Sequence, residues 1–159
     1  MINILGEIYN WFQSLFGQDL SYYLWGYDPV TGGYTNPNLF NHIGLIAIIV
    51  SLLLVIWFYF IFNHPSYCKW WSWLITMGVD SVIGLFVGYA IVFSKYQGGY
   101  IPQQLMYQFD QNGNIVANLI GPSNCWGFGI ANMIVSILLF IFFSFILKWW
   151  SSTAKYVPF

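Results

Sequence analysis

Arginine is absent from this 159-residue chain, and charged residues of every kind make up only 6% of it. An average globular chain carries about 25% charged residues, so too little charge is present to clothe a water-facing surface. Four lysines and a net charge of -1 leave no clustered cationic face, which excludes nucleic acid as a partner. Disorder is excluded as well, because disordered chains are rich in charge and poor in aromatics, and aromatics here reach 23%. There is no Asn-x-Ser/Thr acceptor, no glycine-rich phosphate loop, no Ser-His-Asp set and no pair of neighbouring carboxylates. The chain is therefore read as a non-enzyme, with no catalytic residue and no cofactor expected. What is plentiful is apolar surface, 58% of residues. That places the chain in the membrane class.

A hydrocarbon core of about 30 Å needs roughly 20 apolar residues of helix. Three stretches qualify: 43–62, with Ser51 as its one clearly polar residue; 73–93, carrying Asp80; and 128–147, containing Asn132, Ser136 and Ser144. Their ends carry Tyr67, Trp70, Trp71 and Trp73, then Tyr96 and Tyr100, then Trp126, then Trp149 and Trp150. Trp and Tyr prefer the headgroup level because an apolar ring carries one polar handle. The fold expected is an all-α integral membrane protein with three transmembrane helices.

Residues 1–17 are too short to cross. Ile2, Ile4, Leu5, Ile8, Trp11, Phe12, Leu15 and Phe16 fill one half of a helical wheel, and Asn3, Gly6, Glu7, Asn10, Gln13 and Ser14 fill the other. This pattern predicts an amphipathic helix lying in the interface. It lacks the basic region and cleavage site of a signal peptide. Residues 18–42 read as a turn-rich extracytoplasmic segment and 94–127 as a long loop on the same side. Within that loop, Asn112-Gly113 between apolar runs predicts a small extramembrane β-hairpin, with positive φ at both turn residues. Asp110, Asn112 and Asn114 share the spacing of a calcium loop, but its bidentate acid would fall at Gly121, so a turn is expected and no metal.

Three spans put the 63–72 loop and the 148–159 tail on one side, with Lys69, Lys148 and Lys155 and no acid. The other side holds Lys95 against Glu7, Asp19, Asp28 and Asp110. The positive-inside rule then sets the N-terminus outside and the C-terminus in the cytoplasm of a plasma or inner membrane. Cys68 and Cys125 are separated by the bilayer, too far apart for a disulfide. His64 and Cys68 have no second ligand pair for a structural zinc.

Asp80 is the one ionisable residue inside a span, and such acids face a bundle interior, water or a partner. Thr76, Met77, Asp80, Ser81, Gly84 and Gly88 share one arc, and Gly84-x-x-x-Gly88 is a surface where a second helix backbone can approach. The third span answers with Gly129, Asn132, Ser136, Phe140 and Ser144. Antiparallel alignment sets Phe140 level with Asp80; Asp80 either packs as a neutral, protonated acid or pairs with Lys148 snorkelling inward. Asp80, Lys148, Asn132 and Ser136 are thus the intramembrane polar candidates, and Gly84, Gly88, Ser81 and Gly129 the helix-packing ones. Two functions fit. One is a non-enzymatic subunit of a larger homo- or hetero-oligomeric membrane complex, with the bilayer and other subunits as partners. The other is a channel, holin-like pore or proton-coupled component built on Asp80 and the third span's polar stripe.

Overall fold

The computed structural model describes residues 4–61 and 70–149. The expectations for Ile2, Asn3, His64, Tyr67, Cys68, Lys69, Trp150 and Lys155 fall outside the described residues. Three helices are long and apolar enough to cross a membrane: Leu39–Phe60, Trp70–Gln97 and Pro122–Lys148. The first consists of α4 (Leu39–Ile56) continued by a π-helical turn, Trp57–Ile61. Before it come α1 (Ile4–Asn10), α2 (Gln13–Phe16) and α3 (Gln18–Trp25), and a two-residue strand pair, β1 (Tyr27–Asp28) with β2 (Gly33–Tyr34). After it come α5 (Trp70–Gln97), α6 (Gln103–Met106), the hairpin β3 (Tyr107–Phe109) and β4 (Ile115–Asn118), and α7 (Pro122–Lys148).

Two of the long helices, α4 and α7, begin before their apolar runs, where polar residues cap them. Asn38 Oδ1 accepts the Asn41 backbone N–H at 3.3 Å at the start of α4. At the start of α7, Pro122 fits a first turn that needs no N–H donor, and Asn124 Oδ1 accepts from Gly121 N at 2.9 Å. Capping a first turn in this way satisfies donors that have no intrahelical partner.

The N-terminal segment differs from the single amphipathic helix that its periodicity predicts. It is broken after Asn10 and again at Gly17, whose φ is +88°. The second break has a visible cause. Asn124 Nδ2 donates to the carbonyl of Phe16 at 2.9 Å, tying down a group that a continued helix would have bonded internally. The segment does not lie free on the bundle's surface either. It is seated against α4 and α7, where Gly44 leaves room for Leu5 and Gly127 leaves room for the Leu15 carbonyl. The wheel's apolar half is accordingly divided. Phe16 is buried, whereas Ile4, Leu15 and Trp11 are exposed, Trp11 by 77%.

An aromatic cluster closes this end of the bundle. Tyr9 stacks on Phe40 with centroids 5.3 Å apart, Phe16 meets Phe128 edge-on at 5.3 Å, and Trp25 meets Phe40 edge-on at 5.6 Å. Such offset and edge contacts match ring edge to ring face, adding to the area buried. A second apolar cluster at the other end gathers Val55, Phe58, Trp73, Phe140 and Leu147.

The β-hairpin forms where expected, with Tyr107 opposite Asn118 and a register irregularity after Gln108. Its turn is of another kind. Only Gly113 has positive φ; Asn112 does not, because Asp110 holds the loop instead. Asp110 Oδ1 accepts the backbone N–H groups of Asn112 and Asn114, both at 2.8 Å. The Asn114 N–H, acting first among these bonds, holds the Asp110 carboxyl below the usual aspartate range.

Candidate functional site: a buried polar seam

α5 and α7 pack antiparallel along their small residues. A Cβ on Gly88 would stand 2.8 Å from Asn132 Cβ, one on Gly84 would run into Ser136, and one on Gly129 would stand 3.0 Å from the Leu85 carbonyl. These contacts define a register in which Asn132 faces Gly88 and Ser136 faces Gly84. One further turn sets Phe140 level with Asp80. At the far end Trp73 Nε1 donates to Ser144 Oγ at 3.1 Å. The glycine face is therefore filled by a helix of the same chain.

The side chains along this contact form a polar line through an otherwise apolar interior. The Tyr9 hydroxyl donates to Asn132 Oδ1, and Asn132 Nδ2 donates to the Gly84 carbonyl at 2.6 Å. That carbonyl would otherwise bond only within α5, so Asn132 bridges α5 to α1. Burial of the Tyr9 phenol raises its pKa above the usual tyrosine range, because the phenolate would lose its water. Ser51 Oγ on α4 donates to Asp80 Oδ2 at 2.8 Å. Asn132, Ser51 and Asp80 are all 0% exposed.

The sequence candidates are thus partly assembled. Asp80, one turn from Gly84, meets Ser51 of α4, and Asn132, Ser136, Gly84, Gly88 and Gly129 line the α5–α7 contact. Ser81 sits beside it and bonds its own helix, Oγ to the Gly78 carbonyl at 2.8 Å. Asp80 is bonded by Ser51, and Lys148 is not among its hydrogen-bond partners. The register explains why. Lys148 lies eight residues beyond Phe140, about 12 Å along the helix axis, which places it opposite the start of α5.

Three donors of the seam, Ser51, Tyr9 and Trp73, are missing from the sequence candidates. Ser51 carries a readable signal, being the one clearly polar side chain in 43–62. Tyr9 carries a weaker one: Leu5, Tyr9, Phe12 and Phe16 follow helical spacing, but a hydroxyl on an apolar stripe is easily assigned to neither face. Comparison with protein-family models, with curated proteins and with solved structures gives no match to this chain.

Proposed function

We propose that this chain is an integral membrane protein that works without catalysis, as a subunit of a larger homo- or hetero-oligomeric membrane complex. The observation that carries the reading is the use made of the buried polar groups. Tyr9, Asn132, Ser51 and Trp73 each bond from one helix to another, so they hold the bundle together. The helix faces turned outward are apolar, including Ile75, Val79, Val82 and Phe86 on α5, as lipid or a neighbouring apolar helix requires. Because α7 fills the glycine face, contacts with other subunits fall to these outer faces and to the hairpin, where Ile115 and Val116 are 58% and 65% exposed. Large exposed apolar patches mark partner or membrane surfaces. The lysine distribution supports a cytoplasmic C-terminus and an N-terminal side outside.

The test is purification of the full chain from its native membrane in mild detergent, with native mass spectrometry of the product. A defined stoichiometric assembly is expected, and Ile115→Ser with Val116→Ser should reduce it. A lone monomer, unchanged by chemical crosslinking in the membrane beforehand, would overturn the reading.

A further inference from the structure

We propose that Asp80 is a reversible proton-binding site in the seam between α4 and α5, with Ser51 as its positioning residue. The ligand is a single proton, exchanged with water. The argument starts from unequal treatment of the two carboxyl oxygens. Oδ2 accepts the Ser51 hydroxyl at 2.8 Å. Oδ1 is buried and has no hydrogen-bond partner among the described residues. An ionised carboxylate carries charge on both oxygens, and a fully buried one needs donors on each to offset lost hydration. The neutral acid is the less costly form: the carbonyl-type oxygen accepts from Ser51 and the other carries the proton, an unpaired O–H costing far less than an unpaired buried charge.

Among the described residues no neighbouring cation takes over this role. On α4, His42 lies nine residues before Ser51, and Tyr59 lies eight after it in the π-helical turn. On α7, Lys148 is eight residues beyond Phe140 and Cys125 fifteen before it, each more than about 10 Å away along the axis. On α5 itself the nearest titratable side chains are Tyr89 and Lys95. Glu7 on α1 is exposed, and Tyr9 is taken up by Asn132.

Placement favours exchange over a permanently trapped proton. α4 packs mainly on α7 and more lightly on α5, and the Ser51–Asp80 bond crosses that lighter contact. Exchange of the proton with water is assigned to this contact, with the glycine-packed α5–α7 pair staying closed.

Infrared spectroscopy of the full chain in lipid vesicles reads the site directly. At neutral pH the spectrum should show one protonated-carboxyl C=O band. It should shift in D₂O, vanish reversibly on alkalinisation, and be absent from Asp80→Asn. Ser51→Ala should retain the band but move it to higher frequency, because the carbonyl loses its donor. That variant keeps the proposal testable if Asp80→Asn fails to fold. Absence of the band at neutral pH, its persistence unchanged to the alkaline limit, or its removal by sodium ions at constant pH would each overturn the proposal. The last outcome would identify a cation site. None of these readouts depends on whether the chain assembles with partners.

Discussion

Tyr9 and Asn132 meet across 123 residues of chain, the phenol donating to an amide oxygen that is wholly buried. Asn132 lies ten residues into α7, so this bond fixes a short N-terminal helix to the interior of the bundle rather than to its rim. The same amide grips α5 through the Gly84 carbonyl. One side chain thus couples three helices. The first expectation concerns its loss. Tyr9→Phe leaves Asn132 Oδ1 buried without its donor, which costs about 1–3 kcal/mol. Thermal unfolding in detergent should show the drop, and proteolysis should release residues 4–25 before the long helices. Equal stability of Tyr9→Phe and the native chain would remove the clasp from the account.

The glycine contact predicts a contrast within one helix. Gly84→Leu and Gly88→Leu force side chains into Ser136 and Asn132, and overpacking of this kind costs about 1–3 kcal/mol or more at each site. Gly78 lies on the same helix with open space where a Cβ would be. There Gly78→Ala should stabilise by about 0.5–1 kcal/mol, since glycine is a poor helix residue. The check is the order of unfolding temperatures among the three variants. Similar losses at Gly78 and Gly84 would show that the α5–α7 register is wrong.

The hairpin carries a pH dependence of definite sign. Asp110 is held below the usual aspartate range by the Asn114 backbone N–H and by further bonds from Asn112, Gly113 and the Asn114 side chain. A depressed value in the folded hairpin means that its stabilisation is present above the unfolded aspartate value of about 3.9 and is lost as pH falls through the folded value. Amide exchange at Asn112 and Asn114 should therefore accelerate relative to the unfolded reference in that acid window, while the long helices stay protected. Asp110→Ala should show the loose turn already at neutral pH. Acid-independent protection in the native hairpin would contradict the role given to this carboxylate.

The sequence was most informative where a single physical demand governs many residues at once. Three apolar runs of bilayer length predict three long helices, and placing two of them antiparallel sets Phe140 level with Asp80. Elements governed by one or two polar atoms were harder to read. The break at Gly17 depends on Asn124, over a hundred residues away. The turn at Asn112-Gly113 follows from the Asp110 side chain rather than from the dipeptide. Lys148 looks within reach of Asp80 because a flexible stem permits many distances, whereas Ser51, the one clearly polar side chain of 43–62, supplies the bond. Local periodicity reports which face is buried. It does not report which distant side chain completes a hydrogen bond.

Orientation provides the last expectation, and the buried thiol changes how it must be tested. Cys125 is free but fully buried, so an impermeant maleimide should miss it on whichever side it lies, until the protein is denatured. Exposed positions are needed at both ends of the bundle. Asn112 is exposed at the hairpin turn and Trp149 is 89% exposed at the end of α7, and 27 residues of helix separate these two levels. At 1.5 Å per residue that helix is about 40 Å long, enough to set the two probes on opposite sides of a bilayer. A three-span reading puts Lys69, Lys148 and Lys155 on one side by sequence, and the positive-inside rule predicts that this side is cytoplasmic. In a Cys68→Ala background, Asn112→Cys should label in intact cells, and Trp149→Cys should label only after permeabilisation. The reverse pattern would invert the orientation while leaving the fold untouched; labelling of both in intact cells would show that α7 does not cross.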